Sequence, residues 1–477
     1  MLRVIALILF YNPLQPNSTM LSNNPAIIKY ICALLSVLIM TGCNQYINKI
    51  TPAGIKVLQV WAHAGQAAER QILQSQVTRF NQQSANIDIN LIFIQERNYN
   101  AQVQAAALAG DLPDILEFDG PYLYNYIWQN HLLPLETLLP ASVINDLLPS
   151  IVEQGSLGQH LYSVGVFDSG LGLYARRSAL QRINARVPET AIDAWDIDEF
   201  NAILQQLTQQ DNDHAVLDLK LNFAGEWFTF GFSPMLQSAG ADLIERDCYQ
   251  TSTGILNSTE AVAVMQQLQN WIQQGLVDVN LDDAAFVTGR VALSWTGHWE
   301  YDRYKKAWQD DLVILPLPDF GLGSRTGQGS WNWGITNKSR YPEAAAEFLR
   351  FLLETEEVLA ISSANGTIPG THSALHLSKR YGKNGELRLF ANQLLKWVAI
   401  PRPKTPAYPV ITTVFQKAFQ QIRHGANVKQ VLDNAAQKID QDIRDNQGYP
   451  FVFAKQKQKN THRHLYHAAK LEKTRQF

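Results

Sequence analysis

Residues 110–135 read GDLPDILEFDGPYLYNYIWQNHLLPL. A helix arriving from upstream should stop at Ala109-Gly110, because glycine takes the left-handed conformation that ends helices. A short apolar strand follows at Ile115-Leu116, then a carboxylate-rich turn of Glu117, Phe118, Asp119 and Gly120. Pro121 opens a helix that carries Tyr122, Tyr124, Tyr126 and Trp128. A strand ending in acids and aromatics, followed at once by a helix start, is a ligand-site geometry in open α/β sheets. The same residues also describe an ordinary βα loop in which Asp119 caps the next helix. A spacing of two on a helix turns the tyrosines to different sides, so at most one or two of them can face a ligand.

Upstream, Lys56 to Trp61 reads as a first strand and Trp61 to Gly65 as a loop. Glu69 to Asn81 carries the apolar period of a helix, Asp88 to Ile94 is a second strand, and Tyr99 to Leu108 is an Ala/Gln-rich helix. The order β-α-β-α-β-α predicts an α/β fold with a parallel sheet covered by helices. Downstream, Leu161 to Ala175 is extended, with glycines at 165, 170 and 172 that suit a strand crossing between lobes. Helices are expected at Asp196–Thr208, Asn257–Gln274, Asp282–Gly289, Pro342–Leu353, Val414–Ile422 and Val428–Ile443. Strands are expected at Val291–Trp295 and Val313–Pro318, with extended chain at Gly327–Ile335. Arg402 to Pro409 reads as a proline-stiffened loop.

With 477 residues, two lobes or more are expected, and 46% hydrophobic with 17% charged residues describes a globular chain rather than a disordered one. Lys29 precedes an apolar run, Ile31 to Met40, too short for a permanent membrane span, which ends Met40-Thr41-Gly42-Cys43. Small residues before a cysteine match a signal peptide cut just ahead of Cys43. Of the three cysteines, Cys32 lies in this leader and Cys43 at the cut, leaving Cys248 in the body without an intramolecular partner. No metal-ligand spacing occurs, and no cofactor is implied. Forty basic groups less the two in residues 1–42, against 43 acidic groups, leave −5 for the mature chain. From Phe451 onward seven Lys/Arg face one Glu, so the body is more acidic still, at −11, which argues against nucleic acid as a partner.

Five segments in order, FNQQSANIDI, QAAALAGDLPDILEFDG, FVTGRVALSWTGHWEY, GSWNWGI and PEAAAEFLRFLL, resemble the extracellular solute-binding proteins of sugar ABC transporters, the maltose-binding-like, multiple-sugar family. The likeness runs from about Lys56 to Tyr449, and the Thr-Gly-Cys43 cut site resembles a lipobox. The departures are the long leader, Met40 in the lipobox, and the tail. The resemblance implies a two-lobed periplasmic-binding-protein fold with a ligand cleft and hinge crossovers. It implies a leader at 1–42, a lipidated linker at 43–54, lobe one at 55–165 plus 335–370, lobe two at 170–330 plus 375–450, and a basic tail at 452–477. It also implies a sugar or oligosaccharide ligand, ABC permease subunits as partners, and a lipid anchor on Cys43 at the periplasmic or extracytoplasmic face of the membrane.

A pyranose offers an apolar face of C–H groups and a ring of hydroxyls. Aromatic faces pack on the first, while acids, amides, histidine and arginine bond the second. Candidates placed at expected loops are Trp61 and His63 after strand one, and Glu117 and Asp119 after strand three. Asp168 lies on the crossover, and Trp227 follows Glu226 in an aromatic cluster. His298 and Trp299 precede Glu300, Trp331 and Trp333 lie in GSWNWGI, and Arg402 and Tyr408 in the late loop. The resemblance puts ligand aromatics in loops matching GHW and GSW, which favours Trp299 and Trp331. Plainer roles stay open: satisfied loop histidines at 63 and 298, a Glu300–Arg303 pair, and Asp168 fixing the hinge turn. A glycoside-processing enzyme with Asp119 and Asp168 as acid and base, or a sugar-sensing lipoprotein, are the alternative readings.

Overall fold

The computed structural model describes residues 54–210, 215–329, 331–382, 384–396 and 398–451. The expected leader, Cys43 and the basic tail lie outside the described residues.

Two four-stranded sheets organise the chain. In the first, β1 (Lys56–His63) is followed by α1 (Ala67–Gln83), β2 (Ile87–Ile94), α2 (Glu96–Ala109) and β3 (Ile115–Asp119). β1 runs parallel to both β2 and β3, and the antiparallel β8 (Trp331–Ile335) completes the order β8-β3-β1-β2. The connections leave β1 in opposite directions, so the crevice at the C-terminal ends of β1 and β3 is a topological switch point. Gly110, at φ 73°, ends α2 as its sequence position requires.

The strands run further than their sequence suggests. β1 extends through His63, and Glu117 to Asp119 belong to β3 rather than to a turn. β3 is held on both edges, by β1 and β8, and that ladder keeps its acidic end extended. Pro121 does open helical structure, first a single 3-10 turn at Gly120–Tyr122 and then α3 (Leu123–Trp128). Tyr122, Tyr124 and Tyr126 are all buried, so none of them faces open space.

The second sheet, in the order β7-β4-β6-β5, combines β4 (Leu171–Arg176), β5 (Leu217–Asp218), β6 (Leu293–Gly297) and β7 (Leu312–Leu315). Packed with it are α4 (Ile197–Thr208), α5 (Trp227–Ser238), α6 (Thr259–Gln273) and the late helices α9 (Tyr408–Arg423) and α10 (Val428–Asp445). Side chains of Asp196 and Ser258 cap α4 and α6 by accepting from Glu199 N and Ala261 N. Against the first sheet pack α1 with α7 (Pro342–Leu352) and α8 (Thr355–Asn365). Two expectations fail locally. Asp282–Gly289 is a series of turns, its start consumed by Arg290, which binds both Asp278 and Asp282. α9 begins six residues before Val414, because Pro409 falls at an N-terminal position where its missing N–H costs nothing.

The segment from Leu161 to Ala175 passes from one sheet to the other. Val164 bridges Trp333 of the first sheet, Phe167–Asp168 pairs with Ile368–Pro369, Ser169 bridges Gly329, and Leu171 enters β4. A second passage runs from Thr326–Gln328, paired with Ala399–Pro401, into β8. Among the described residues no helix is long and apolar enough to cross a membrane, and no His, Cys, Asp and Glu group is placed to hold a metal ion.

Candidate ligand cleft

Between the sheets lies a cleft of about 650 Å³, within the range that small-molecule ligands occupy. One wall is built at the switch point from His63, Glu69, Glu96, Asp119 and Trp331. The other carries Phe223, Trp227, Phe230, His298, Trp299 and Glu300. Glu226 and Arg402 line the cleft where the walls meet, and Phe167, Ser169 and Gly329 of the crossovers contribute as well.

The first wall is ionic. Side chains alternate along β3, so Ile115, Glu117 and Asp119 share a face, opposite Ile335, Trp333 and Trp331 of β8. Glu117 Oε2 accepts from the backbone N–H of His63 at 3.0 Å and lies 2.8 Å from its Nδ1. Glu69 Oε1 is 3.5 Å from Nε2 on the other side of the ring. Burial alone would lower the imidazole's pKa, but Glu117 and Glu69 outweigh it and raise it to about 9. His63 is therefore an imidazolium at neutral pH. Its ring stacks on Trp331 at 3.8 Å between centroids and 1° between planes, and Tyr99 meets the same indole edge-on at 5.3 Å.

The second wall is aromatic. Trp299 meets Trp227 at 6.2 Å and Phe230 at 6.1 Å. His298 sits beside it, its Nδ1 3.1 Å from the carbonyl of Asn365 and its Nε2 3.0 Å from Ser169 Oγ. The carbonyl can only accept, so Nδ1 carries the proton and Nε2 accepts from the serine. Burial lowers the pKa of this histidine to about 4, and it is neutral. Its bonds tie the end of β6 to the crossover strand and to the end of α8.

The walls meet at Arg402. Its two terminal nitrogens bind Asp119 at 2.5 and 2.6 Å, and Nη1 reaches Glu226 at 3.0 Å. Tyr122 and Tyr408 both donate to Glu226, at 3.0 and 2.5 Å. Burial and the neighbouring Asp119 raise the pKa of Glu226, and Arg402 opposes them. Gln66 at the start of α1 adds a bond across the cleft, donating to the carbonyl of Trp299 at 2.9 Å.

Of the residues singled out in the sequence, His63, Asp119, Trp227, His298, Trp299, Trp331 and Arg402 line the cleft. Five do not. Trp61 lies within β1 and packs against the core beneath α2. Glu117 is sealed beneath His63, and Trp333, opposite Glu117 and one pleat back from the rim, is 2% exposed in the core. Asp168 is fully buried on the crossover, accepting from Gln154 at 3.1 Å and from its neighbour Ser169 at 2.7 Å. Tyr408 starts α9 with its ring buried. An acid and base pair of Asp119 and Asp168 is thereby ruled out, since Asp168 is walled off and Asp119 is held by Arg402. The Glu300–Arg303 pair is present at 3.0 Å. Glu69, Glu96, Ser169 and Asn365 line the cleft without having drawn attention in the sequence. The first two had a legible signal: each lies in the first turn of a helix that follows a parallel strand, where switch-point ligands sit.

Residues 75–388 match the family of bacterial extracellular solute-binding proteins. A protein of Streptomyces antibioticus described as an uncharacterised lipoprotein is 20% identical over 364 residues, 72% of this chain and 77% of that one. An Arthrobacter globiformis protein that binds cyclic α-maltosyl-1,6-maltose is 21% identical, with a TM-score of 0.66 over 82% of this chain and all of that chain. An ABC substrate-binding protein of Listeria monocytogenes in complex with cycloalternan is 17% identical, with a TM-score of 0.69 over 82% and 99%. A maltodextrin-binding domain of Bdellovibrio bacteriovorus bound to maltotriose is 18% identical, with a TM-score of 0.68 over 82% and 100%. These likenesses fix the fold as the two-lobed one of such proteins, and the chain belongs to the bacterial extracellular solute-binding proteins.

Proposed function

We propose that the protein binds a sugar or oligosaccharide in this cleft and delivers it to an ABC-type membrane permease. The observation that carries the reading is a switch-point cleft with tryptophan rings on both walls and carboxylates between them. That combination matches the apolar face and hydroxyl rim of a pyranose. Structures of the same fold hold maltotriose and cycloalternan. In the proposed cycle the sugar binds one lobe, contacts from the second favour closure about the crossovers at Asp168 and Gly329, and the closed form docks on the permease. The lobes are taken as 55–165 plus 335–370 and 170–330 plus 375–450. Lipid on Cys43 would hold the protein at the periplasmic or extracytoplasmic face of the membrane.

The test is a panel of sugars read by thermal shift, followed by calorimetry on those that respond. A sugar that raises Tm with no turnover is the expected result. A panel of mono- and oligosaccharides with no response sinks the sugar reading. The intact mass of the membrane-extracted protein checks the anchor: it should equal a chain starting at Cys43 plus lipid.

A further inference from the structure

The inference rests on the sugar reading and concerns the charge of the sugar. Among the described residues, the cations that line the cleft, and those behind Glu300, are each shared by two or more carboxylates, and Arg70 at the rim is turned to the carbonyls of Ala64 and Gly65. Arg402 answers both Asp119 and Glu226. His63 stands between Glu117 and Glu69. Behind Glu300, Lys220 is divided among Asp218, Asp283 and Glu300, and Arg303 between the last two. Glu96 lines the cleft from the first turn of α2 and makes no ion pair with a described side chain. Among the described residues no lining cation is thus left over to meet a ligand anion, and acid outnumbers base at each of these places.

We propose that the cleft takes a sugar bearing an ammonium group more tightly than its neutral counterpart, and rejects sugars bearing a carboxylate or phosphate. An ammonium has three donors and no acceptor. It suits a wall on which Glu96 lacks an ion-pair partner among the described side chains and Glu69 is met only by a cation it shares with Glu117, and the Trp299 ring opposite offers a π-face to a cation. A carboxylate would enter against the surplus acid and would have to break an existing ion pair to gain a cationic partner. The excess also shows in the titration of the wall: burial, joined by neighbouring acids, raises the pKa of Glu69 and Glu226.

The experiment is calorimetry on the full chain at neutral pH with D-glucose, D-glucosamine and D-glucuronate, and with cellobiose against its diamino analogue. Maltotriose serves as the neutral oligosaccharide control. The expected result is roughly tenfold tighter binding of the amino member of each set, a preference that shrinks as salt is added, and no binding of glucuronate. Glu96→Gln should cut the amino-over-neutral preference several-fold, read as the ratio of the two affinities measured in the same variant. Neutral sugars bound as tightly as amino ones, or glucuronate bound at all, would overturn the inference and leave the sugar reading standing. If none binds, maltotriose included, both fall.

Discussion

The two walls of the cleft each present a histidine beside a tryptophan, and the two pairs are opposites. His63 lies flat on Trp331 with a carboxylate on either side and holds its proton to about pH 9. His298 stands edge-on to Trp299 at 87°, sees a carbonyl and a hydroxyl, and stays neutral down to about pH 4. Both rings are buried, so burial does not separate them. The carboxylates supplied by β3 and α1 do. On the first wall the histidine is a charge that orders its neighbours; on the second it is a neutral link between crossover, helix and strand.

The bridge between the walls should give the largest effect. Arg402→Met would leave Asp119 and Glu226 buried without a cation, at an expected cost of about 3–5 kcal/mol in urea unfolding. A loss below about 1 kcal/mol would mean that each wall holds its acid without the arginine. The next largest effect is a pH slope. The folded pKa of His63 lies above its ordinary 6.5, so the native state binds the proton more tightly. Its stabilisation is complete below pH 6.5 and is lost as pH rises through about 9. The full span is on the order of 3 kcal/mol. His298 acts in the other direction: its stabilisation is present above 6.5 and is lost as pH falls toward about 4. Burial raises Asp168 to about 6, which favours the fold as pH falls from there toward 3.8 and partly masks the His298 slope. Denaturation across alkaline pH should flatten in His63→Gln. A slope unchanged in that variant would assign it to another group.

The sequence made the first sheet legible because its signals are local. Alternating apolar strands, helices at their own period and Gly110 as a stop are each written within a dozen residues. Half of the cleft was legible for a related reason, since strand ends can be located and His63, Asp119 and Trp299 sit at or just past them. What escaped depends on register and distance. One pleat separates Trp331 at the rim from Trp333 in the core, and the pairing of β8 with β3 decides which is which. Glu117 reads like Asp119 but lies one pleat deeper, beneath a histidine 54 positions away. The partnership of Arg402 with Asp119 spans 283 positions, and no periodicity records it.

The tryptophans should also part company in binding. Trp331 already has one face covered by His63, whereas Trp299 is braced by Trp227 and Phe230 at its sides. Trp299→Ala is expected to weaken sugar binding by about 2 kcal/mol, roughly thirtyfold, with Tm little changed. Trp331→Ala should cost less affinity and also loosen His63, visible as a fall in that histidine's pKa by NMR titration. Equal affinity losses with an unmoved His63 would remove the distinction between the walls.

The smallest effect tests what seats Trp299. Its ring lies over Gly297, where an added Cβ would come within 2.0 Å of Cζ3 and 2.3 Å of Cη2. Gly297 has φ −99°, which any residue adopts, so Gly297→Ala strains no backbone and meets the indole first. The ring has to lift toward the cleft, and binding should fall by about threefold, or under 1 kcal/mol, with a shift in tryptophan emission. Trp331 has no such seat: its counterpart is the His63 imidazolium, and Gly297→Ala should leave the His63 titration where it was. If the emission is unchanged and affinity holds, the glycine is not what positions Trp299, and Trp227 and Phe230 are enough to hold it.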